Sequence, residues 1–228
     1  MNSLTVVVPF FNEENTLISS ISRLKNLDIV TQVLLIDDGS TDNSYKVAES
    51  FCKNLNKFEL IKLETNEGKG HALNQSRKYI TSKHVVIHDA DLEYNPSDLV
   101  EMFNLAKKDN LVLGSRFIGK RERVNIYFRT FLANKGMSLF FSIVNNIKIS
   151  DIATCYKMMP SEYFVENVYK EKGFSIEIEV MSKFLKRSKK VIEVPISYTG
   201  RSYEEGKKIK AVDGFLYLYN TIKYKFTN

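Results

Sequence analysis

Short apolar runs alternate with longer segments of mixed polarity along the first half of the chain. The runs LTVVVPF, QVLLID, FELIKL, HVVIHD and LVLGS are rich in Val, Ile and Leu, as strands are. Helical periodicity is found between and after them, at residues 13–26, 42–55, 69–81 and about 97–108. In the first helical segment Leu17, Ile21 and Leu24 share one face, and Asn12 is the expected N-cap. The pattern predicts an α/β fold in which helices cover both faces of a mainly parallel central sheet.

The residues that directly follow the predicted strands are the best candidates for chemistry. In an open α/β sheet a ligand lies beyond the carboxyl ends of the strands. Here the strands are followed by PFFNEE, DDGSTD, NEGKGHA, DADLE and GSR. Each of these segments is polar or acidic and contains Gly, Pro or clustered carboxylates. The sequence therefore predicts a ligand site at this edge of the sheet.

Two acids separated by one position follow the fourth predicted strand. A strand would point Asp89 and Asp91 to the same side, and a turn could bring both carboxylates to one ion. Two such oxygen ligands suit Mg²⁺ or Mn²⁺, which takes further ligands from water and substrate phosphates. Glu93 is a possible third ligand. A lone D-x-D pattern more often caps a helix or forms surface ion pairs, so the assignment depends on the rest of the chain.

A second acidic pair, Asp37 and Asp38, ends the second predicted strand and enters a Gly-Ser turn. Asp42 is expected to cap the next helix, and a turn of this kind needs only one acid. A carboxylate accepts hydrogen bonds from ribose hydroxyls and from base N–H groups. The extra acid therefore favours binding of a nucleoside.

The composition is that of an ordinary globular protein, with 228 residues of which 43% are hydrophobic and 26% charged. We expect one domain over residues 1–228, with a C-terminal amphipathic helix at about 209–226. The 33 basic and 27 acidic residues give a net charge of +6, which suits an anionic partner. Cys52 and Cys155 form no CxxC pair, so neither a disulfide framework nor a zinc site is expected. Without a basic leader or about 18 consecutive apolar residues, the chain is expected in the cytoplasm, where it can still touch a membrane.

Seven segments stand in order along nearly the whole chain: VVVPFFNEE, IDDGSTD, NEGKGHALN, HDADLEYNP, LGSRF, DIATCYKMM and VPISYTGRSYEEGKKI. Together they resemble the family-2 glycosyltransferases of GT-A fold, in particular the branch of dolichol-phosphate mannose synthase and bacterial polyprenyl-phosphate sugar transferases. The resemblance implies inverting, metal-dependent transfer of a hexose from a UDP- or GDP-linked sugar to a polyprenyl phosphate. It also implies peripheral association with the cytoplasmic face of a membrane.

The resemblance further implies roles for individual residues. The nucleotide-binding residues would be Pro9, Phe11, Asn12, Glu13, Asp38, Gly68, Lys69, Asp89 and Ala90. The metal ligands would be Asp89, Asp91 and Glu93, the last standing where relatives often carry Gln. The catalytic residues would be Asp91, Arg116 and Asp151. The phosphate or acceptor contacts would be Arg116, Arg129, Arg201, Lys207 and Lys208.

The type of acceptor decides whether a general base is needed. A phosphate monoester has its second pKa at about 6, so near neutral pH it is already an oxyanion. A hydroxyl acceptor would need a base, for which Asp151 or Asp91 is the candidate. Residues 124–149 and the C-terminal helix mix apolar, aromatic and basic side chains. This mixture suits a helix at an anionic membrane surface, or a helix that simply covers the sheet.

Other functions are compatible with parts of the pattern. The same donor chemistry could act on a hydroxyl of a growing cell-surface glycan. A nucleotidyltransferase is disfavoured, because such enzymes have a Gly-rich loop directly after the first strand, where this chain has PFFNEEN. A transferase that had become a binding module would be expected to have lost Asp89 or Asp91. The chain lacks the GxxxxGKS/T, GxGxxG and RNP1 patterns, and nucleic acid is not expected as a partner.

Overall fold

The computed structural model describes residues 3–125, 127–173, 175–200 and 211–227, with the main chain alone for 211–213. The strands are Leu4–Phe10 (β1), Val30–Asp37 (β2), Phe58–Lys62 (β3), His84–Ile87 (β4), Leu111–Ser115 (β5), Arg123–Val124 (β6), Lys157–Pro160 (β7), Val191–Pro195 (β8) and Tyr198–Thr199 (β9). The helices are Leu17–Ser22 (α1), Ser44–Cys52 (α2), Lys69–Ser76 (α3), Asp98–Leu105 (α4), Phe128–Asn145 (α5), Ser161–Glu166 (α6), Ile176–Arg187 (α7) and Ala211–Phe226 (α8).

The central sheet contains seven strands in the order β3-β2-β1-β4-β7-β5-β8. Strands β3, β2, β1 and β4 are mutually parallel, and β5 is parallel to β8. Strand β7 is inserted between β4 and β5 and runs antiparallel to both. The prediction of a mainly parallel sheet is therefore confirmed. Because β7 runs in the opposite direction, its first residue, Lys157, lies near the carboxyl ends of its neighbours.

The sheet is buried on both faces, as the continuous apolar strands predicted. In β1, Val6 and Val8 belong to one apolar core, while Val7 between them belongs to the other. The first core includes residues of α1, α2 and α4, and the second includes residues of α3, α5 and α7. Successive side chains of a strand point to opposite faces, so a strand covered by helices on both faces has to be apolar at nearly every position.

Two helix predictions were wrong at their ends. The first helix begins at Leu17 instead of residue 13, and the residue before it, Thr16, makes no side-chain capping bond. Asn12 is not an N-cap, because its side chain binds the loop after β2 instead. The third helix ends at Ser76 and continues only as a short 3₁₀ turn over Arg77–Tyr79.

Helix α8 packs against α5 and α7 and begins within the range predicted for the C-terminal helix. Its inner side includes Tyr217 and Tyr224, which are buried in the second core. None of the helices in the described ranges is long and apolar enough to cross a bilayer.

Candidate active site

The loops after β1 and β2 are joined through Asn12. Its Oδ1 accepts the backbone N–H of Thr41 at 2.9 Å, and its Nδ2 donates to the Thr41 hydroxyl at 3.2 Å. The backbone of Asn12 is left-handed, with φ of 53°, a conformation that Asn tolerates better than most residues. Pro9, Phe11 and Glu13 flank it at the end of β1. The predicted nucleotide-binding residues of this segment therefore lie against the acidic turn that follows β2.

The carboxylate of Asp38 holds the loop that leads from β3 into α3. It is buried, and it accepts the backbone N–H groups of Gly68 at 2.7 Å and of Glu67 at 3.3 Å. Nδ1 of His71 lies 3.5 Å from Oδ1 of Asp38. Asp37 accepts a backbone N–H within its own turn at 2.9 Å. Both acids thus have structural partners, and the contact of Asp38 with a nucleoside stays a prediction.

Gly68 and Gly70 let the segment before α7 approach the start of α3. Gly68 has φ of 94°, and a Cβ there would lie 2.4 Å from the carbonyl oxygen of Lys172. A Cβ on Gly70 would lie 1.8 Å from the carbonyl oxygen of Glu171. Neither position can hold a side chain unless this segment moves. The glycines of NEGKG are therefore required for packing, whatever contact they make with phosphate groups.

Lys69, between these glycines, binds two carboxylates. Its Nζ lies 2.7 Å from Oδ1 of Asp89 and 2.8 Å from Oε1 of Glu177. The other oxygen of Glu177, Oε2, lies 2.7 Å from Nζ of Lys157. The sequence pattern placed Lys69 and Asp89 at the site but gave no role to Glu177 or Lys157. The available signal was the segment SIEIEV, in which acids alternate with apolar residues on a helix that is buried over most of its length.

Asp89 and Lys69 keep each other charged in partly buried positions. Burial raises the pKa of Asp89, but the positive charge and hydrogen bond of Lys69 lower it more, so that the pKa is below its ordinary value. Burial lowers the pKa of Lys69, but Asp89 and Glu177 together raise it well above its ordinary value. Burial raises the pKa of Cys155, and the negative charge of Asp89 raises it further. At neutral pH the group therefore consists of a carboxylate, an ammonium and a thiol.

Asp91 and Glu93 follow in the turn after β4. Oδ1 of Asp91 accepts the backbone N–H of Glu93 at 3.0 Å. Oε2 of Glu93 accepts the hydroxyl of Tyr198, in β9, at 2.8 Å, and the Glu93 carbonyl accepts the N–H of Thr199 at 2.8 Å. The Glu93 carboxylate is therefore bound to β9, and the structure does not gather it with the two aspartates.

The donor set at the end of β4 fits a divalent cation with two protein carboxylates. Over the described part of the chain, no three His, Cys, Asp or Glu side chains are grouped so that they could hold a metal ion. Asp89 is ionised and keeps 30% of its side chain exposed, so a ligand can reach it. Asp89 and Asp91 suit Mg²⁺ or Mn²⁺ if diphosphate oxygens and water supply the remaining ligands. The predicted third ligand, Glu93, gains no support from this geometry.

Arg116 and Asp151 form a buried, bidentate ion pair. Nε and Nη2 of Arg116 donate to the two carboxylate oxygens of Asp151 at 2.7 and 2.8 Å. The backbone N–H of Arg116 donates to Oδ2 of Asp151 at 3.0 Å. The guanidinium carbon also lies 4.9 Å from the ring centroid of Tyr198. The structure thus brings these two predicted catalytic residues together, with Asp151 orienting Arg116.

Among the other predicted phosphate contacts, only Arg129 lies in the described part of the chain. Arg129 is exposed in the first turn of α5. Arg201, Lys207 and Lys208 lie outside the described residues. Ala90, which lies between Asp89 and Asp91 in the sequence and was predicted to contact the nucleotide, is buried.

Helices α5 and α8 expose large apolar side chains, which we call the α5/α8 surface: Phe128, Leu132, Leu139, Ile143, Phe215, Tyr219, Ile222 and Phe226. Basic residues accompany them on both helices, including Arg129, Lys223 and Lys225. One side of α8 covers the core and another faces solvent, so its role at a membrane surface stays a prediction.

Comparison with known proteins gives one family. The sequence model described as "Glycosyl transferase family 2" matches residues 5–167. The chain is similar to glycosyltransferase AglJ of Haloferax volcanii, with 26% identity over 228 residues that cover 97% of this chain and 73% of AglJ. It is also similar to undecaprenyl-phosphate mannosyltransferase of Micrococcus luteus, with 23% identity over 220 residues that cover 94% of this chain and 90% of that protein.

Solved structures give the same fold. Glucosyl-3-phosphoglycerate synthase of Mycobacterium tuberculosis in complex with UDP has a TM-score of 0.73 at 17% identity, over 98% of this chain and 80% of that one. The same enzyme with Mn²⁺, UDP and phosphoglyceric acid has a TM-score of 0.71 at 16% identity, over 100% and 80% of the two chains. These similarities confirm the predicted α/β fold of GT-A type.

Proposed function

This chain belongs to glycosyl transferase family 2 and is a glycosyltransferase, and we propose that it transfers a hexose from a UDP- or GDP-linked sugar to a polyprenyl phosphate. The reaction would invert the anomeric centre and give a β-linked lipid-phosphate sugar. The donor assignment is supported by the polar loops at the ends of β1, β2 and β4, and by the UDP bound in a structure of similar fold. The acceptor assignment is supported by two relatives whose names specify undecaprenyl phosphate.

The choice of a phosphate acceptor over a hydroxyl depends on one observation, the pairing of Asp151. Its carboxylate accepts three hydrogen bonds from Arg116 and is fully buried, so it is poorly placed to take a proton from an alcohol. Asp91, the other candidate base, would lose basicity as a metal ligand. An acceptor that is already an oxyanion near neutral pH needs no such base. The geometry of Asp151 therefore favours a phosphate as the nucleophile.

The acidic pair at the end of β4 is the proposed metal site. A divalent cation held by Asp89 and Asp91 would stabilise the negative charge that develops on the departing nucleoside diphosphate. Lys69 holds Asp89 in place from the side of α3. Arg116, fixed by Asp151 and stacked on Tyr198, supplies a second positive charge from the end of β5.

We propose that the α5/α8 surface docks the enzyme on the cytoplasmic face of a membrane, where a polyprenyl phosphate resides. Exposed Phe, Leu, Ile and Tyr side chains would enter the interface, and neighbouring basic residues would meet anionic headgroups. Binding of the full chain to vesicles that contain anionic lipid tests this. Replacement of Phe215 and Phe226 by Ser should weaken binding, whereas Val100→Ser, at an exposed apolar residue of α4 on the opposite face of the sheet, should not.

The transfer reaction itself is tested with a panel of labelled UDP- and GDP-hexoses and a polyprenyl phosphate. The expected result is label in the butanol-extractable phase with Mn²⁺ or Mg²⁺, and none with EDTA. Label found only on glycan hydroxyls would identify the alternative acceptor. Donor hydrolysis without labelled lipid or glycan would contradict both acceptors while leaving the donor site in place.

A further inference from the structure

Four charged side chains run from the acidic pair at the end of β4 into the protein interior. Lys69 lies between Asp89 and Glu177, and Glu177 lies between Lys69 and Lys157, with every N···O distance at 2.7 or 2.8 Å. The two positive and two negative charges alternate along this chain. Each charge in this row therefore has a partner of opposite sign, which offsets part of the desolvation cost of its burial.

Glu177 can influence the active site only through its neighbours. Its side chain is 4% exposed, so it has almost no surface with which to touch a substrate. One of its oxygens is held by Lys157, which is itself completely buried. Lys157 also donates to the carbonyl oxygens of Ile152 and Thr154, in the loop that begins at Asp151. Glu177 is therefore a fixed anionic partner that holds Lys69.

Lys69 is the cation that a metal ion would meet at Asp89. An ammonium 2.7 Å from Oδ1 engages one carboxylate oxygen and repels a second positive charge. Glu177 has the opposite effect, because it shares the ammonium with Asp89 and adds a negative charge of its own. The balance between these two contacts sets how strongly Asp89 attracts a cation.

We propose that Glu177 is a positioning residue that tunes the affinity of Asp89 and Asp91 for a divalent cation by sharing Lys69 with Asp89. The inference rests on the proposed function, because it takes these two aspartates as the metal site. The inference predicts that removal of Lys69 and removal of Glu177 change the affinity for a divalent cation in opposite directions. Damage to the fold would weaken binding in both.

The test is the binding of Mn²⁺ to the full chain, followed by the electron paramagnetic resonance of free Mn²⁺, with and without UDP. Lys69→Met should bind Mn²⁺ about tenfold more tightly than the wild type, and Glu177→Gln about tenfold more weakly. In a Lys69→Met background the Glu177→Gln change should have a smaller effect, because the shared ammonium is gone. Glu67→Gln, an exposed acid just before α3, is the matched control and should leave the affinity unchanged.

Several results would overturn the inference. Equal affinities, or weaker binding in both variants, would show that Glu177 does not act through Lys69. If Glu177→Gln does not fold, Glu177→Asp decides the point, because it keeps the charge but shortens the reach to Lys69. Weaker Mn²⁺ binding is then expected, and an unchanged affinity refutes the inference. If the wild type binds Mn²⁺ and the variants bind it with the same affinity, this inference is refuted but the proposed metal site is not. No Mn²⁺ binding by the wild type, even with UDP, refutes the proposed metal site as well.

Discussion

The Arg116–Asp151 pair gives the sharpest prediction of stability. Asp151 is fully buried and accepts hydrogen bonds of 3.0, 2.7 and 2.8 Å from one arginine. The change Asp151→Asn keeps the shape and one carbonyl oxygen but leaves the guanidinium without a counter-charge. Loss of one partner of a buried pair costs about 3–5 kcal/mol. Because Asn can still accept one hydrogen bond, we expect a loss of about 3 kcal/mol in the free energy of unfolding.

Urea denaturation followed by far-UV circular dichroism measures this loss, since the chain has no Trp for fluorescence. With an m-value of about 3 kcal/mol/M for a chain of this length, the midpoint should fall by about 1 M. Asp109→Asn is the matched control, because Asp109 pairs with Lys190 at the surface, and its midpoint should not change. The double change Arg116→Met with Asp151→Leu should recover part of the loss, because it leaves no buried charge unpaired.

Two outcomes would refute the reasoning about Asp151. A midpoint close to that of the wild type would show that the pair contributes little to folding. An unchanged midpoint together with transfer that is abolished by Asp151→Asn but kept in Arg116→Met would identify Asp151 as a general base, and a hydroxyl acceptor would then be favoured.

Further predictions concern one buried histidine, one glycine and one proposed metal ligand. Burial lowers the pKa of His88 from 6.5 to about 4. The free energy of unfolding should therefore be unaffected above pH 6.5 and should fall by about 3 kcal/mol in total as the pH drops toward 4. In His88→Gln the urea midpoint should vary less between these pH values, and an unchanged pH dependence would contradict this. Gly70→Ala should lower the melting temperature and weaken UDP binding measured by calorimetry, because its Cβ would lie 1.8 Å from the carbonyl oxygen of Glu171. Wild-type values for both would show that the segment around Glu171 can move away without loss of stability or binding. Asp91→Asn should abolish metal-dependent transfer while the circular dichroism spectrum is preserved, and near-wild-type turnover would exclude Asp91 as a ligand.

Several features of the fold follow from local sequence. The alternation of strands and helices, and the burial of the strands on both faces, could be predicted because periodicity and apolar content are properties of short segments. The position of Asp38, Asp89 and Arg116 at one edge could also be predicted, because the carboxyl ends of parallel strands meet there.

Local patterns misled where a side chain had a distant partner. Asn12 precedes a helical segment and looks like an N-cap, but its side-chain amide hydrogen-bonds to the backbone N–H and the hydroxyl of Thr41 instead. Glu93 stays a predicted metal ligand, but its carboxylate also accepts the hydroxyl of Tyr198, a partner that the sequence did not indicate. Both hydrogen bonds join residues that are far apart in the sequence.

Local patterns were enough to predict the α/β class, the edge of the sheet where a ligand site is expected and the acids at that edge. The tertiary structure alone decided that β7 runs antiparallel between β4 and β5, that Arg116 engages Asp151, and that Lys69 is shared by Asp89 and Glu177. Periodicity reports only whether a side chain is buried. Which charge it meets there depends on residues up to 108 positions away, which only the packing of the elements brings within reach.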